Sequence, residues 1–141
     1  MIEGDLMLAK IEQNWILLAV FSSIGWGVWG FFSGRASKGA SPIGLWASVV
    51  IIEGLIAVPA LFKVRPVLTT PSVLAAVSGV IGYLLFFVAL KQGKAPTVVA
   101  ITALYPMVTL IITVFASGYK PSARELIGIG VAIFAVYLLA G

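Results

Sequence analysis

Five long apolar runs organise the chain, at about residues 15–32, 43–62, 72–90, 97–116 and 125–140, and only short connections separate them. A hydrocarbon core about 30 Å thick is crossed by roughly 20 apolar helical residues, and each run comes close to that length. Lipid offers no partner for backbone N–H and C=O groups, so a span must pair them internally. The runs are too long and too apolar for barrel strands, which leaves helices. The pattern predicts an all-α fold, an integral membrane bundle of five transmembrane helices. Residues 1–14, beginning "MIEGDLMLAKIEQ", mix acids, a lysine and scattered apolar residues. They read as a polar or interfacial segment, with a solvated terminus as the alternative.

The connections carry helix-start chemistry. Ser41-Pro42, Thr70-Pro71 and Ala95-Pro96 each put proline in a first turn, where its missing N–H breaks no bond. Ser122-Ala123-Arg124-Glu125 has the spacing of a capping box before the last run. Gly93 in "KQGKAP" suits a left-handed residue at a helix end, giving a tight turn between the third and fourth spans.

Composition agrees with lipid as the main solvent: 61% of the 141 residues are hydrophobic and 10% are charged, with a mean hydropathy of +1.14. The first run is followed by several others, so it reads as a permanent span and not a cleavable leader. There is no Cys and no His, which excludes disulfides and thiol chemistry and leaves little from which to build a zinc or haem site. No cofactor or metal is expected. The pI near 9.6 does not indicate nucleic acid, because the basic residues stand in ones and twos at span ends, where they anchor a membrane protein.

Those basic residues barely choose an orientation. With five spans, Lys10, Lys63, Arg65, Lys120 and Arg124 fall on one side, and Arg35, Lys38, Lys91 and Lys94 on the other. Orientation follows the Lys/Arg excess in short loops, and here it is five against four. Either one weakly specified topology results, or the chain inserts both ways and pairs antiparallel. The second arrangement would create from one gene product the inverted repeat on which many transporters are built.

Certain faces carry candidate chemistry. In the first span Ser23, Gly27, Gly30 and Gly34 form a small-residue stripe flanked by Trp26 and Trp29, suited to close helix packing within a subunit or between subunits. Gly128, Ala132 and Ala135 repeat the device in the last span, a candidate subunit contact. In the fourth span Thr102, Tyr105, Thr109 and Thr113 recur at helical spacing, with Pro106 among them. That reads as a pore- or substrate-facing helix broken at Pro106, or as threonines bonded to their own backbone on a bent helix.

The second span holds Glu53 about eleven residues from its start, roughly 16 Å deep and near the bilayer midplane. An acid at a helix centre costs about 2.5–3.5 kcal/mol on insertion scales, so such groups face an interior or a cavity. Trp46, Val50, Ala57 and Ala60 share its face. A carboxyl there can hold a proton when empty and pair with a cation when loaded, which is the logic of proton-coupled exchange. Alternatively it is protonated and only ties one helix to another. No basic residue lies comparably deep.

Taken together, "GWGVWG" in the first span, "FFVALKQGKA" at the end of the third, "ITALYPMVT" in the fourth and the closing "LIGIGVAIFAVYLLAG" resemble one EamA-type repeat of the drug/metabolite transporter superfamily. The likeness covers nearly all of the chain beyond residue 14. Most members carry two five-helix repeats of opposite orientation and move metabolites, amino acids or drugs. The resemblance therefore implies a small-molecule transporter working as a homodimer of single repeats. Family repeats often end the fourth span with Gly-Glu, where this chain has Gly118-Tyr119-Lys120, so any role of that acid does not transfer. Small four-helix exporters of the superfamily use a membrane carboxylate in their first helix, which Glu53 matches in chemistry but not in position.

The sequence is thus read as a five-helix protein of the inner or plasma membrane that exports or exchanges a metabolite or organic cation. Glu53 takes the proton or cation, Tyr105 and Thr109 contact substrate, Trp26 gives an aromatic wall and Pro106 breaks its helix. A non-transporting membrane subunit that stabilises or regulates a partner is the alternative. An enzyme is not expected, for want of His, Cys or paired intramembrane acids.

Overall fold

The computed structural model describes residues 15–66 and 68–140. Its helices are α1 (Trp15–Ala36), α2 (Pro42–Leu61), α3 (Thr70–Gln92), α4 (Ala95–Thr102), α5 (Tyr105–Ser117) and α6 (Ala123–Ala140). Since α4 and α5 make one crossing between them, the described residues contain five segments long and apolar enough to span a membrane. The fold is all-α, and the protein is a multi-pass membrane protein in contact with lipid. The segment 1–14 lies outside the described residues.

Local chemistry explains where the helices begin. Ser41 caps α2 by accepting from the Gly44 N–H at 3.0 Å, with Pro42 just inside the first turn. Thr69 caps α3 in a reciprocal pair: its N–H donates to Ser72 Oγ at 2.8 Å and its Oγ1 accepts from the Ser72 N–H at 3.4 Å. At α6 the Ser122 N–H donates to Glu125 Oε2 at 2.7 Å and Ser122 Oγ accepts from the Glu125 N–H at 3.3 Å, the capping box that the sequence spacing predicts.

The left-handed helix end falls on a different glycine from the one expected. Gly93 is extended, with φ −103° and ψ 170°, so the turn from α3 to α4 is not left-handed. It is constrained by space, because a Cβ there would lie 2.8 Å from Val98 Cγ2. Positive φ belongs instead to Gly118, at 65°, which ends α5.

The fourth crossing is interrupted at mid-depth. Pro106 has no N–H to give the Thr102 carbonyl, and the chain tightens around the gap: Leu104 N–H donates to Ile101 O at 3.1 Å, and Met107 N–H to Leu104 O at 2.9 Å. Eight residues of α4 place the break about 12–14 Å from one end of the bundle, near the middle of a bilayer.

Packing is concentrated at one end. The buried apolar residues are Phe87 and Leu90 of α3 and Val98 of α4, joined by the buried Ser33 and Ser37 of the α1 end. Trp29, Leu45, Trp46, Val49, Tyr83 and Phe86 pack around them. Gly30 and Gly34 let α1 approach α4: an added Cβ would stand 3.0 Å from Val99 Cγ2 at the first and 2.5 Å from Ala95 Cβ at the second. This half of the first-span stripe therefore serves packing within the chain. Thr97 Oγ1 donates to Leu139 O at 3.4 Å, tying α4 to the end of α6. In lipid these helices associate through van der Waals fit and hydrogen bonds, since lipid tails are as apolar as the side chains. Small residues at the seam are what that force requires.

Candidate functional site

The recess between α1, α2 and α3 is a shallow, broadly open hollow of about 380 Å³; Ser22, Gly25, Trp26, Trp29, Glu53 and Tyr83 line it. Counted back from the packed end at 1.5 Å per residue, Trp29, Trp26, Tyr83 and Glu53 lie about 10–16 Å deep. They occupy one mid-bilayer layer. The packed cluster closes the bundle on one side of that layer, and every residue of α2 from Val50 to Leu61 is exposed on the other.

The aromatic side chains form a corner. Trp26 and Trp29 meet edge to face, with centroids 5.4 Å apart and planes at 79°. Trp29 meets Tyr83 at 5.7 Å and 66°. Behind them Trp29 stacks on Phe86 at 5.1 Å and Tyr83 on Phe87 at 6.2 Å. Phe87 is fully buried, so the walls stand on the most tightly packed part of the molecule. Such edge-to-face and offset pairs are the favoured aromatic geometries.

Glu53 sits opposite, on α2, and shares the lining with the Tyr83 hydroxyl. The recess thus combines one acid, two hydroxyl groups and three rings. Cationic side chains stand elsewhere: Arg35, Lys38, Lys91 and Lys94 at the packed end, Lys63, Arg65, Lys120 and Arg124 at the other. Arg35 lies 5.7 Å from the centre of the Phe31 ring. Among the described residues no group of three His, Cys, Asp or Glu could hold a metal.

Of the residues singled out in the sequence, the structure brings Glu53 and Trp26 together in this recess; Tyr105 and Thr109 do not line it. Thr109 Oγ1 donates to Tyr105 O at 3.2 Å, Thr113 Oγ1 to Thr109 O at 2.7 Å and Thr102 Oγ1 to Val98 O at 3.0 Å. These hydroxyl groups bond to their own helix. The Tyr105 ring is 72% exposed. Ser22, Gly25, Trp29 and Tyr83 are the lining residues that sequence reasoning did not assign. "GWGVWG" held a signal for Trp29, whereas Tyr83 had none, because its place opposite Glu53 depends on how α3 is rotated against α2.

A family model described as the EamA-like transporter family matches residues 13–141. The chain belongs to that family. The EamA-like chain is also 27% identical over 131 residues to an uncharacterized protein of Methanocaldococcus jannaschii, a match covering 89% of this chain and 95% of that protein. That relative is therefore of about the same length. No solved structure matches the chain. Membership makes this a protein of a membrane transporter family, in keeping with its five crossings and mid-depth recess.

Proposed function

We propose that the protein is a small-molecule transporter of the inner or plasma membrane, exporting or exchanging a metabolite or organic cation as an antiparallel homodimer by alternating access. The observation that carries this reading is the recess itself: Glu53 faces Trp26, Trp29 and Tyr83 at the depth where transporters of inverted-repeat design hold substrate. Glu53 takes the proton or cation, and Trp26 is one wall.

Three observations support the second copy. Ala103, Tyr105 and Pro106 at the break in the fourth crossing are exposed in the single chain. Irregular backbone at membrane depth is stable only where protein or a water-lined cavity covers it. The basic residues of the chain are nearly balanced, five against four between the two sides, so orientation is barely biased. The relative of similar length is also about one repeat long. A second copy laid against α5 would bring Tyr105 and Thr109 to the shared interior, where they contact substrate, while Pro106 keeps the helix broken.

Reconstitution tests the reading. The purified chain alone, in liposomes with a pH gradient, is expected to move members of a panel of small metabolites and organic cations, with proton flow in the opposite direction. Glu53→Gln is expected to lose the proton coupling. Absence of movement across a broad panel would assign the chain to a non-transporting subunit of some larger assembly.

A further inference from the structure

We propose that the recess between α1, α2 and α3 selects a monovalent organic cation, an alkylammonium or quaternary ammonium, with Glu53 as counter-ion and Trp26, Trp29 and Tyr83 as a three-ring cage. This narrows the transport reading of the same site and rests on it for location only.

The charge pattern decides the ligand's sign. The recess contains one carboxylate and no cationic side chain, and the basic residues of the described chain stand at its two ends. A carboxylate at mid-bilayer depth without a cationic side chain beside it is costly, and a cation from outside removes that cost. An anionic ligand would place like charges together with no Arg or Lys to hold it. A zwitterion would satisfy Glu53 with its amine and leave its own carboxylate unpaired.

The lining decides the kind of cation. A hard metal ion wants six or more oxygen ligands, against which the recess offers one carboxylate and the hydroxyls of Ser22 and Tyr83. What it offers in quantity is aromatic surface. The faces of Trp and Tyr rings carry negative potential and attract soft, weakly hydrated cations. The rings meet at 79° and 66°, so their planes cross at steep angles and do not form a flat stack. Gly25 adds the room: a Cβ built there meets nothing within 4 Å. The volume of about 380 Å³ lies at the small end of ordinary ligand pockets, about 300–1,000 Å³.

Paired probes that differ only in charge provide the test. The full chain, purified in lipid nanodiscs, is titrated by calorimetry with choline and its uncharged isostere 3,3-dimethylbutan-1-ol, then with benzyltrimethylammonium and neopentylbenzene. Each cation is expected to bind about tenfold or more tighter than its isostere. Glu53→Gln should abolish that preference, and Gly25→Leu, which fills the recess without touching its charge, should abolish binding of both members of a pair. A Cβ at Gly25 meets nothing within 4 Å and Glu53 is exposed, so circular dichroism and gel filtration should show the variants folded.

Equal binding of cation and isostere would overturn the assignment, as would a preference that survives Glu53→Gln. If the chain transports neutral or zwitterionic metabolites in liposomes yet discriminates no cation, this inference fails and the transport function stands. If it discriminates cations but moves none, the inference stands and the transport function falls.

Discussion

Gly34 and Gly27 lie on the same stripe of α1, but their surroundings differ. An added Cβ at Gly34 stands 2.5 Å from Ala95 Cβ, whereas at Gly27 it meets nothing within 4 Å. Gly34→Ala should therefore destabilise the protein by about 1–3 kcal/mol through forced separation of α1 and α4. Gly27→Ala should stay within about 0.5 kcal/mol of the parent. Thermal unfolding in detergent compares the two, and equal losses would mean that α1 does not seat on α4 through Gly34. At the recess the expectation concerns protons. Cation and proton compete for Glu53, so binding of an organic cation should strengthen as pH rises, and Glu53→Gln should flatten that profile. Tyr83 is the other titratable group there, and Tyr83→Phe should keep the profile while weakening affinity. An unchanged profile in Glu53→Gln would reduce the carboxylate to a packing role.

Among the elements, the fourth crossing and the start of α6 make the clearest predictions. Restoring an N–H with Pro106→Ala should let α4 and α5 join into one helix. Amide exchange around residues 103–107 should then slow, and transport should fall by about tenfold or more, equivalent to about 1.4 kcal/mol on the transport barrier. Slowed exchange with full transport would show the break to be a bend without function. At α6, Ser122→Ala removes the hydroxyl half of the capping pair, leaves the Ser122 N–H bonded to Glu125, and should cost about 1 kcal/mol, read from thermal unfolding. Tyr119 strengthens the same corner by donating to Glu125 Oε1 at 2.7 Å. That bond raises the phenol above its ordinary value. A raised phenol contributes support that is present below the unfolded value near 10 and is lost as pH climbs through the folded one. The cap should thus be indifferent to pH across the neutral range, and Tyr119→Phe should remove one raised phenol from an absorbance titration.

For the whole molecule the question is how many copies and which way round. The basic residues of the whole chain divide five against four between the two sides, so the loops give almost no preference for one face on the cytoplasmic side. Single cysteines placed at the two termini of this cysteine-free chain should each be labelled from both sides of the membrane by an impermeant maleimide. Labelling of each terminus from one side only would rule out the antiparallel pair. The break in the fourth crossing predicts where the copies touch. Crosslinks from Thr109→Cys should form between two chains, in a yield that falls when wild-type chain dilutes the variant.

Span count, capping and the deep acid were legible because each depends on local chemistry. A 20-residue apolar run has to be a helix in lipid, a Ser-x-x-Glu pair bonds across one turn, and Glu53 is costly at its depth whatever surrounds it. Gly93 and Gly118 mark where local reading stopped: one is set by contact with Val98, the other by how α5 ends, and neither follows from residue type alone. The recess belongs wholly to tertiary structure. Soluble helices announce their inner face by contrast with polar residues, but nearly every face here is apolar because the solvent is lipid. Helix rotation is set by packing, such as the close approach of Gly30 and Gly34 to Val99 and Ala95 that seats α1 on α4, and which side chains Glu53 meets follows from the packing of α2 against α1 and α3. The sequence by itself determined a five-crossing membrane protein with one mid-depth carboxylate. The packing of α1, α2 and α3 decided that this carboxylate faces two tryptophans and a tyrosine.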